Sequence, residues 1–191
     1  MTPNARKPKG YVGINHTTRG GDILAVLQTI HLPAQTLGAD LAARIKNVKE
    51  DVWYPIAEML EMLERLDQKL GSFHLRQVGW TIFNRYHKEA VIAHFTNARQ
   101  LIEAFDSMYH QANKGTQIGG YKVLSFEPGR AVLEKATPHH CLMEEGIVEE
   151  SLRAINVPAK VSQTKCFRKG DEVCHFVVET SITDERWDSP R

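Results

Sequence analysis

Residues 120–181, about a third of the chain, decide the fold because they contain a helix flanked by two β-hairpins. The first hairpin is YKVLSFEPGRAVLEKAT (121–137), the helix is MEEGIVEESLRAINV (143–157), and the second hairpin is AKVSQTKCFRKGDEVCHFVVETS (159–181). Glu127-Pro128-Gly129-Arg130 suits a type II turn, since Pro fixes φ near −65° and Gly accepts the positive φ that follows it. This order predicts a sheet built from two hairpins separated by a helix.

The second hairpin places two cysteines on either side of its turn. If Lys169-Gly170-Asp171 form an odd-numbered loop, with Gly170 left-handed, Cys166 lies opposite Cys174. A two-residue turn would instead place Cys166 opposite Val173. We favour the odd loop, which makes the two sulfurs close neighbours. The face that the two cysteines share then also contains Ser162, Thr164, Phe176 and Val178.

The chain before these hairpins has helical periodicity. The strongest stripe begins at Ile56, after a possible N-cap at Asp51, and continues to Gly71; another runs from Phe95 to Tyr109. Residues 1–21 are rich in Gly, Pro, Thr and basic residues and predict a mobile tail, and Asp22 is the expected N-cap of the first helix. The expected fold class is therefore α+β, with N-terminal helices packed on an antiparallel sheet.

The chain shows no linker or internal repeat that would divide it. We therefore expect a single domain over residues 22–183, with a helical half at 22–115 and a hairpin-helix-hairpin half at 120–181. A length of 191 residues suffices for one core without staples.

The bulk composition excludes several classes of protein. A net charge of +1 gives no field that would attract nucleic acid, and no apolar run approaches the roughly 20 residues needed to span a bilayer. The basic start has no apolar stretch typical of a signal peptide, and an odd count of three cysteines favours a reducing compartment. We expect a cytoplasmic protein without nucleic-acid binding or membrane insertion.

No motif in the sequence indicates catalysis. A nucleophile elbow, a phosphate-binding loop, a dinucleotide fingerprint and a metalloprotease helix are all missing. His139-His140-Cys141 contains a base beside a nucleophile, but neighbours on an extended chain point to opposite faces. We expect no catalytic residues and no enzyme activity.

The three cysteines allow three interpretations. Cys141, Cys166 and Cys174, together with His140, supply the ligand types of a tetrahedral zinc site, although the spacing of the last pair is wider than in compact zinc knuckles. Alternatively, one thiol is redox-active or acylated, which requires exposure and a lowered pKa. The third interpretation is that the cysteines only pack as small buried side chains.

The region from residue 121 to residue 179 resembles the C-terminal half of the 4-vinyl reductase domain. The first hairpin, Cys141 with Gly146, and the spacing of Cys166, Gly170, Cys174 and Phe176 carry the resemblance. This family is grouped with the haem-nitric-oxide-binding sensors and the TRAPP vesicle-tethering subunits. The resemblance implies helices packed on an antiparallel sheet around an apolar pocket that takes a small molecule or an acyl chain, often in a dimer.

The resemblance does not extend to haem. Haem-binding members carry a Tyr-x-Ser-x-Arg motif before the penultimate helix, whereas this chain has Glu134-Lys135-Ala136-Thr137-Pro138 there. Among cofactors, zinc remains possible and haem is not supported.

We therefore expect a small-molecule-binding sensor or accessory domain that acts through a signalling or assembly partner, as a homodimer. Its ligand would be small and apolar or aromatic, held between the Met59 helix, the 95–109 helix and the sheet. The predicted pocket residues are Met59, Leu63, Trp80, Phe83, Leu101, Phe105, Tyr109 and Phe176.

Two alternatives remain. One is a metal or redox sensor based on the cysteines. The other is a dimeric interaction module resembling the tethering subunits.

Overall fold

The helical half precedes the main sheet along the chain. In the computed structural model, which describes residues 6–189, this half also contributes two short strands. Its elements are β1 (Ile14–Arg19), α1 (Gly20–Gln28), α2 (Pro33–Leu37), α3 (Ala39–Ile45), β2 (Trp53–Pro55), α4 (Ile56–Leu70), α5 (Ser72–Ile82), a π-helical turn (Phe83–His87), α6 (Lys88–His94) and α7 (Ala98–Ala112).

The second half contains the predicted hairpins. Its elements are β3 (Asn113–Thr116), β4 (Tyr121–Glu127), β5 (Arg130–Lys135), α8 (Cys141–Ala154), β6 (Lys160–Lys165), a 3-10 turn (Phe167–Lys169) and β7 (Cys174–Glu179). The main sheet is antiparallel with the order β4-β5-β7-β6, so α8 separates its two hairpins in the chain. Glu127 pairs with Arg130, and Gly129 has φ of 69°, as the type II turn requires. The predicted α+β class is confirmed.

The second hairpin differs from the prediction in its register. Lys165 pairs with His175, but a bulge between Gln163 and Lys165 shifts the rest of β6, so Gln163 pairs with Phe176. Val161 likewise pairs with Val178. Val161 and Gln163 therefore lie on the face where Ser162 and Thr164 were predicted. Gly170 is left-handed as predicted, although the loop that contains it begins at Phe167 with a 3-10 turn and is longer than three residues.

A small sheet with the order β2-β1-β3 was not predicted. Its strand Ile14–Arg19 occupies part of the expected mobile tail, of which residues 1–5 lie outside the described part. Because Thr17 pairs with Pro55, α4 starts at Ile56 and Asp51 does not cap it. Asp22 does not cap the first helix either, because α1 starts at Gly20. Asp22 therefore lies inside the helix and is buried.

Two apolar cores lie on either side of the π-helical turn. One core is formed by α1 to α5 and contains Met59, Leu63 and Leu66 of the predicted stripe; the other lies between α7, α8 and the main sheet. Helices α5 and α8 connect the cores and approach very closely at Gly79, where an added Cβ would lie 2.0 Å from Met143 O. No helix in residues 6–189 is long and apolar enough to cross a membrane.

The C-terminal segment extends the domain beyond the expected boundary at residue 183. Trp187 is buried and stacks on Phe126 with ring centroids 4.7 Å apart. The first N–H groups of α7 lack partners within the helix, and those of Ala98 and Arg99 donate to carbonyls of this segment. The segment is therefore part of the fold.

Candidate functional site

Three elements bring the cysteines together. Cys141 opens α8, Cys166 follows β6, and Cys174 opens β7. The Sγ of Cys141 lies 3.1 Å from that of Cys174 and 3.6 Å from that of Cys166, and all three sulfurs lie within 4.8 Å of one another. All three residues are buried and free of disulfides. The sequence-based expectation that the hairpin sulfurs are close neighbours is met, and Cys141 joins them.

A buried lysine lies beside the cysteine cluster. Lys135, at the end of β5, has no solvent exposure, and its Nζ lies 3.8 Å from Cys141 Sγ. This nitrogen donates to the carbonyl oxygens of Thr137 and His139 and lies 4.8 Å from the ring centroid of Phe167. A cation at this position stabilises thiolates, because burial removes the solvent that would otherwise screen the attraction.

The thiols do not have equal acidity. A hydrogen bond from Cys141, assisted by Lys135, lowers the pKa of Cys174. The pKa of Cys166 is raised, mainly because its thiol hydrogen-bonds to Cys141 and also because it is buried. The hydrogen bond with Cys166 lowers the pKa of Cys141, but that with Cys174 and burial together raise it. Cys174 is therefore the first of the three to become a thiolate.

A buried polar network continues from Lys135 into α8. Its Nζ lies 2.8 Å from Glu144 Oε2, and the Thr137 hydroxyl donates to both oxygens of Glu144 at 2.6 and 2.8 Å. The Nδ1 of His139 lies 3.7 Å from Glu144 Oε1, and it has no hydrogen-bond partner among residues 6–189. Burial, with Lys135 nearby, keeps the pKa of His139 well below 6.5, so this imidazole is neutral.

An open cleft leads to an inner cavity between the two halves of the chain. The cleft has a volume of about 600 Å³ and the inner cavity about 80 Å³. Four residues line both spaces, namely Asp22, His87, Met108 and Ala112. Both halves of the chain contribute to the lining of the inner cavity: α1, α4, α5, the π-helical turn and α7 from the first half, and β3, β4 and α8 from the second.

The predicted pocket residues divide into three groups. Met59, Phe83, Phe105 and Tyr109 line the inner cavity. Leu63, Leu101 and Phe176 are packed in the cores, and Trp80 lies in a shallow groove on the other side of α5. The charged, amide and imidazole residues of the lining that sequence reasoning missed are Asp22, His87, Asn113, His139 and Glu144. No sequence signal marked Asn113, since only the pairing of β3 with β1 places it there.

His140 lies outside the cysteine cluster. Its Nε2 is 3.3 Å from Asp67 Oδ2, and its Nδ1 accepts from the N–H of Leu142. Burial lowers its pKa to about 4, against the opposing effect of Asp67. Of the four predicted metal ligands, the structure therefore groups only the three cysteines, and whether they bind a metal stays a prediction.

The residues of the inner cavity do not fit a haem. A porphyrin needs several times the 80 Å³ present, and its propionates need cations, whereas the cavity presents Asp22 and Glu144. Lys135, which lies beside the cavity, is already paired with Glu144. Haem iron also needs an axial ligand; of the two histidines among the described lining residues, His139 belongs to the network around Glu144 and His87 faces Asp22.

Solved structures to which this chain is similar include H-NOX domains. The chain has a TM-score of 0.64 and 16% identity to an H-NOX protein from Shewanella oneidensis in the Fe(II) ligation state, covering 87% of this chain and 98% of that one. For the same protein in the Fe(II)NO state, the TM-score is 0.63 at 16% identity, with coverages of 85% and 99%. For unliganded Fe(II) H-NOX from K. algicida, it is 0.65 at 11% identity, with coverages of 86% and 97%.

These comparisons show the fold. The expected similarity to the fold of the haem-NO-binding sensors is confirmed, while the closer resemblance to the 4-vinyl reductase domain stays an interpretation. The profile of a family described as Methanogen output domain 1 matches residues 133–179, which run from β5 through α8 to β7 and include all three cysteines. No curated protein matches the chain.

Proposed function

We propose that this protein is a sensor domain that binds a small, largely apolar molecule in the inner cavity and passes the bound state to a partner protein, without catalysis of its own. The observation that carries the proposal is that both halves of the chain line this cavity. A ligand there contacts residues of the helical half, such as Met59 of α4, and residues of α8 in the second half, so its binding energy depends on how the halves are placed.

The walls of the cavity suit a ligand of this kind. Met59, Met108 and Met143 line it from three different helices, and methionine adapts its shape to what it packs against. The π-helical turn Phe83–His87 interrupts the helix beside the cavity, and such turns are frequent at functional sites. The H-NOX domains of the same fold, solved with and without NO, support a role in sensing small molecules.

Relay to a partner is the second part of the proposal. The matching family is described as an output domain, which supports a role in transmitting a signal. A homodimer is the simplest assembly through which such a domain acts. Three free buried thiols fit a reducing compartment, so we place the protein in the cytoplasm.

Benzene is a suitable probe of the cavity, since buried apolar cavities take it up. We expect saturable amide shifts on both sides of the cavity in two-dimensional NMR spectra. Ala112→Phe fills the junction with the cleft and abolishes them, whereas Ala93→Phe at an exposed position of α6 leaves them unchanged. Absence of saturable shifts in the wild type, or equal shifts in Ala112→Phe, would contradict the proposal. Native mass spectra of the purified protein then identify any ligand retained from the host.

The cysteine cluster favours a second function, the binding of Zn²⁺. Three buried sulfurs within 4.8 Å of one another supply three of the four ligands that zinc prefers, and the fourth position is left for a water or another ligand. Three thiolates around Zn²⁺ carry one net negative charge, which Lys135 beside Cys141 offsets. The residues therefore fit the metal.

Zinc content separates this second function from simple packing. We expect one zinc per chain, lost in Cys166→Ser and retained in His140→Asn, because His140 faces Asp67. A metal-free wild type that forms a reversible disulfide with oxidant would point to a redox sensor. A metal-free protein that resists oxidation leaves packing as the role of the cysteines.

A further inference from the structure

The inner cavity contains an under-paired buried carboxylate. Asp22 is only 7% exposed, yet within the described chain its Oδ2 receives one long hydrogen bond, of 3.3 Å, from the Thr18 hydroxyl. Its Oδ1 lies 3.9 Å from His87 Nε2, which is too far for a hydrogen bond. Buried carboxylates normally have several donors or a close cation. Asp22 is therefore only weakly paired. Burial raises the pKa of its carboxyl against the opposing effect of His87, and a cationic ligand would favour the carboxylate form.

A second polar group in the cavity is also incompletely paired. Asn113 is 4% exposed, and its Nδ2 donates to the carbonyl oxygen of Tyr109 at 3.1 Å. Its Oδ1 has no partner among residues 6–189. A buried amide oxygen without a donor costs about 1–3 kcal/mol, so the site gains when a donor enters. Asp22 and Asn113 thus both present acceptors to one small space.

The charges around the cavity exclude an anion. Among its described lining residues there is no lysine or arginine, and the carboxylate of Glu144 is already held by Lys135 and Thr137. His139 is neutral for the reasons given above. An anionic head would meet two carboxylates, and the one histidine that faces Asp22 among the described lining residues, His87, lies 3.9 Å from that carboxylate. A cationic head would be attracted to Asp22.

The remaining lining defines the body of the ligand. Apart from its polar residues, the cavity is walled by methionine, aromatic and branched aliphatic side chains. A volume of about 80 Å³ accommodates about five to eight water-sized groups, since each needs roughly 10–15 Å³. The occupant is therefore a small molecule with a short apolar body.

We propose, on the basis of the proposed function, that the inner cavity selects a small alkyl amine in its ammonium form. The ammonium group donates to the Asp22 carboxylate and the Asn113 Oδ1, and the alkyl part packs against the methionine and aromatic walls. This arrangement supplies a donor to the unpartnered Asn113 Oδ1 and a counter-charge to the weakly paired Asp22.

The test compares three probes that have the same body and different heads: n-butylamine, n-butanol and butyrate, measured by NMR titration at neutral pH. We expect n-butylamine to bind about tenfold more tightly than n-butanol, because hydrogen bonds between charged groups exceed neutral ones by that order, and butyrate not to bind. In Asp22→Asn the affinity for n-butylamine should fall to the affinity for n-butanol. Asp51→Asn, which changes a residue that lines only the outer cleft, should leave the preference intact.

Benzene binding distinguishes the possible failures. If Asp22→Asn does not fold, Asn113→Leu serves instead, and either variant is used only when it still binds benzene. Equal binding of butyrate and amine, or an amine affinity unchanged by loss of the acceptors, overturns the proposed head group. If the wild type binds benzene, but binds neither n-butylamine nor n-butanol more tightly than butyrate, the proposed function of the cavity stands and this inference fails. If benzene does not bind either, the proposed function fails with it.

Discussion

The Nζ of Lys135 lies 2.8 Å from an oxygen of Glu144, and both side chains are excluded from solvent. Lys135 also lies beside Cys141 of the cysteine cluster, while Glu144 lines the inner cavity. One buried ion pair therefore connects the two candidate sites. A change in charge at the cysteines, by metal binding or oxidation, acts directly on a group that holds a wall of the cavity.

Replacing one member of this ion pair should lower the free energy of unfolding more than replacing both members. Lys135→Met leaves the Glu144 carboxylate buried without its counter-charge, and we expect a loss of about 3–5 kcal/mol in the free energy of unfolding. The double variant Lys135→Met/Glu144→Gln should recover a large part of that loss. Urea denaturation of the single and double variants measures the coupling. Strictly additive losses would show that the pair does not interact energetically.

Arg168 lies in the loop that follows Cys166. It forms ion pairs with Glu64 and Asp67 of α4 and so ties the loop after Cys166 to the helical half. We expect Arg168→Ala to cost only about 1 kcal/mol of global stability, because the side chains are partly exposed, but to increase the native-state reaction of Cys166 with a thiol reagent severalfold.

Arg130→Ala provides the matched control for this experiment. Arg130 pairs with Glu179 at an exposed position of the same sheet, far from the loop in the chain. Its loss should leave thiol reactivity at the wild-type rate. Equal acceleration in both variants would mean that the cysteines become exposed by global unfolding and not by local opening of the loop.

The pH dependence of stability should contain a contribution from His16. This side chain is buried, its Nδ1 is 2.7 Å from the Tyr11 hydroxyl, and burial lowers its pKa from 6.5 to about 4. Between these values the unfolded chain binds a proton that the folded protein does not, so stability is lost as the pH falls from 6.5 towards 4.

Two variants isolate that contribution. Urea midpoints of His16→Gln should fall less steeply over this pH window than those of the wild type. His31→Gln, at an exposed position, should follow the wild-type curve. If His16→Gln has the wild-type slope, protonation of His16 is not linked to unfolding.

Features of the fold that depend on local chemistry could be predicted from the sequence. Pro128-Gly129 specified the turn of the first hairpin, and the apolar stripe of α4 correctly gave buried Met59 and Leu63. Each depends on a few neighbouring residues, whose φ preferences or helical spacing suffice. The proximity of Cys166 and Cys174 was also local, because it required only the hairpin.

Features that depend on distant pairing could not be predicted. Strand β1 is polar and short, and it is stabilised by pairing with β2 and β3, far away in the chain. Because of that pairing, α4 starts at Ile56 without a cap from Asp51, and Asn113 is buried. The weakly paired Asp22 and the unpartnered Oδ1 of Asn113 become visible only when donors and acceptors are counted in three dimensions, which no periodicity in the sequence encodes.

The contact between α5 and α8 should not tolerate a larger residue. A Cβ at Gly79 would lie 2.0 Å from the carbonyl oxygen of Met143, and backbone cannot yield as a flexible side chain does. We expect Gly79→Ala to destabilise the protein by about 3 kcal/mol, despite the higher helix propensity of alanine. Gln77→Ala on the same helix should change stability by less than about 1 kcal/mol. Thermal or urea unfolding measures this loss. A much smaller loss for Gly79→Ala would show that the contact between the helices relaxes.

The C-terminal segment should contribute to stability through Trp187. Its ring is buried against Phe126, and its Nε1 donates to the carbonyl oxygen of Glu127. Trp187→Ala removes that packing and should cost about 3–5 kcal/mol, whereas Trp187→Phe keeps a stacked ring but loses the hydrogen bond and part of the buried volume, and should cost less, about 1–3 kcal/mol. Arg186→Ala, in the exposed part of the segment, is the control. If Trp187→Ala and Arg186→Ala have the same free energy of unfolding in urea, the segment is dispensable for the stability of the fold.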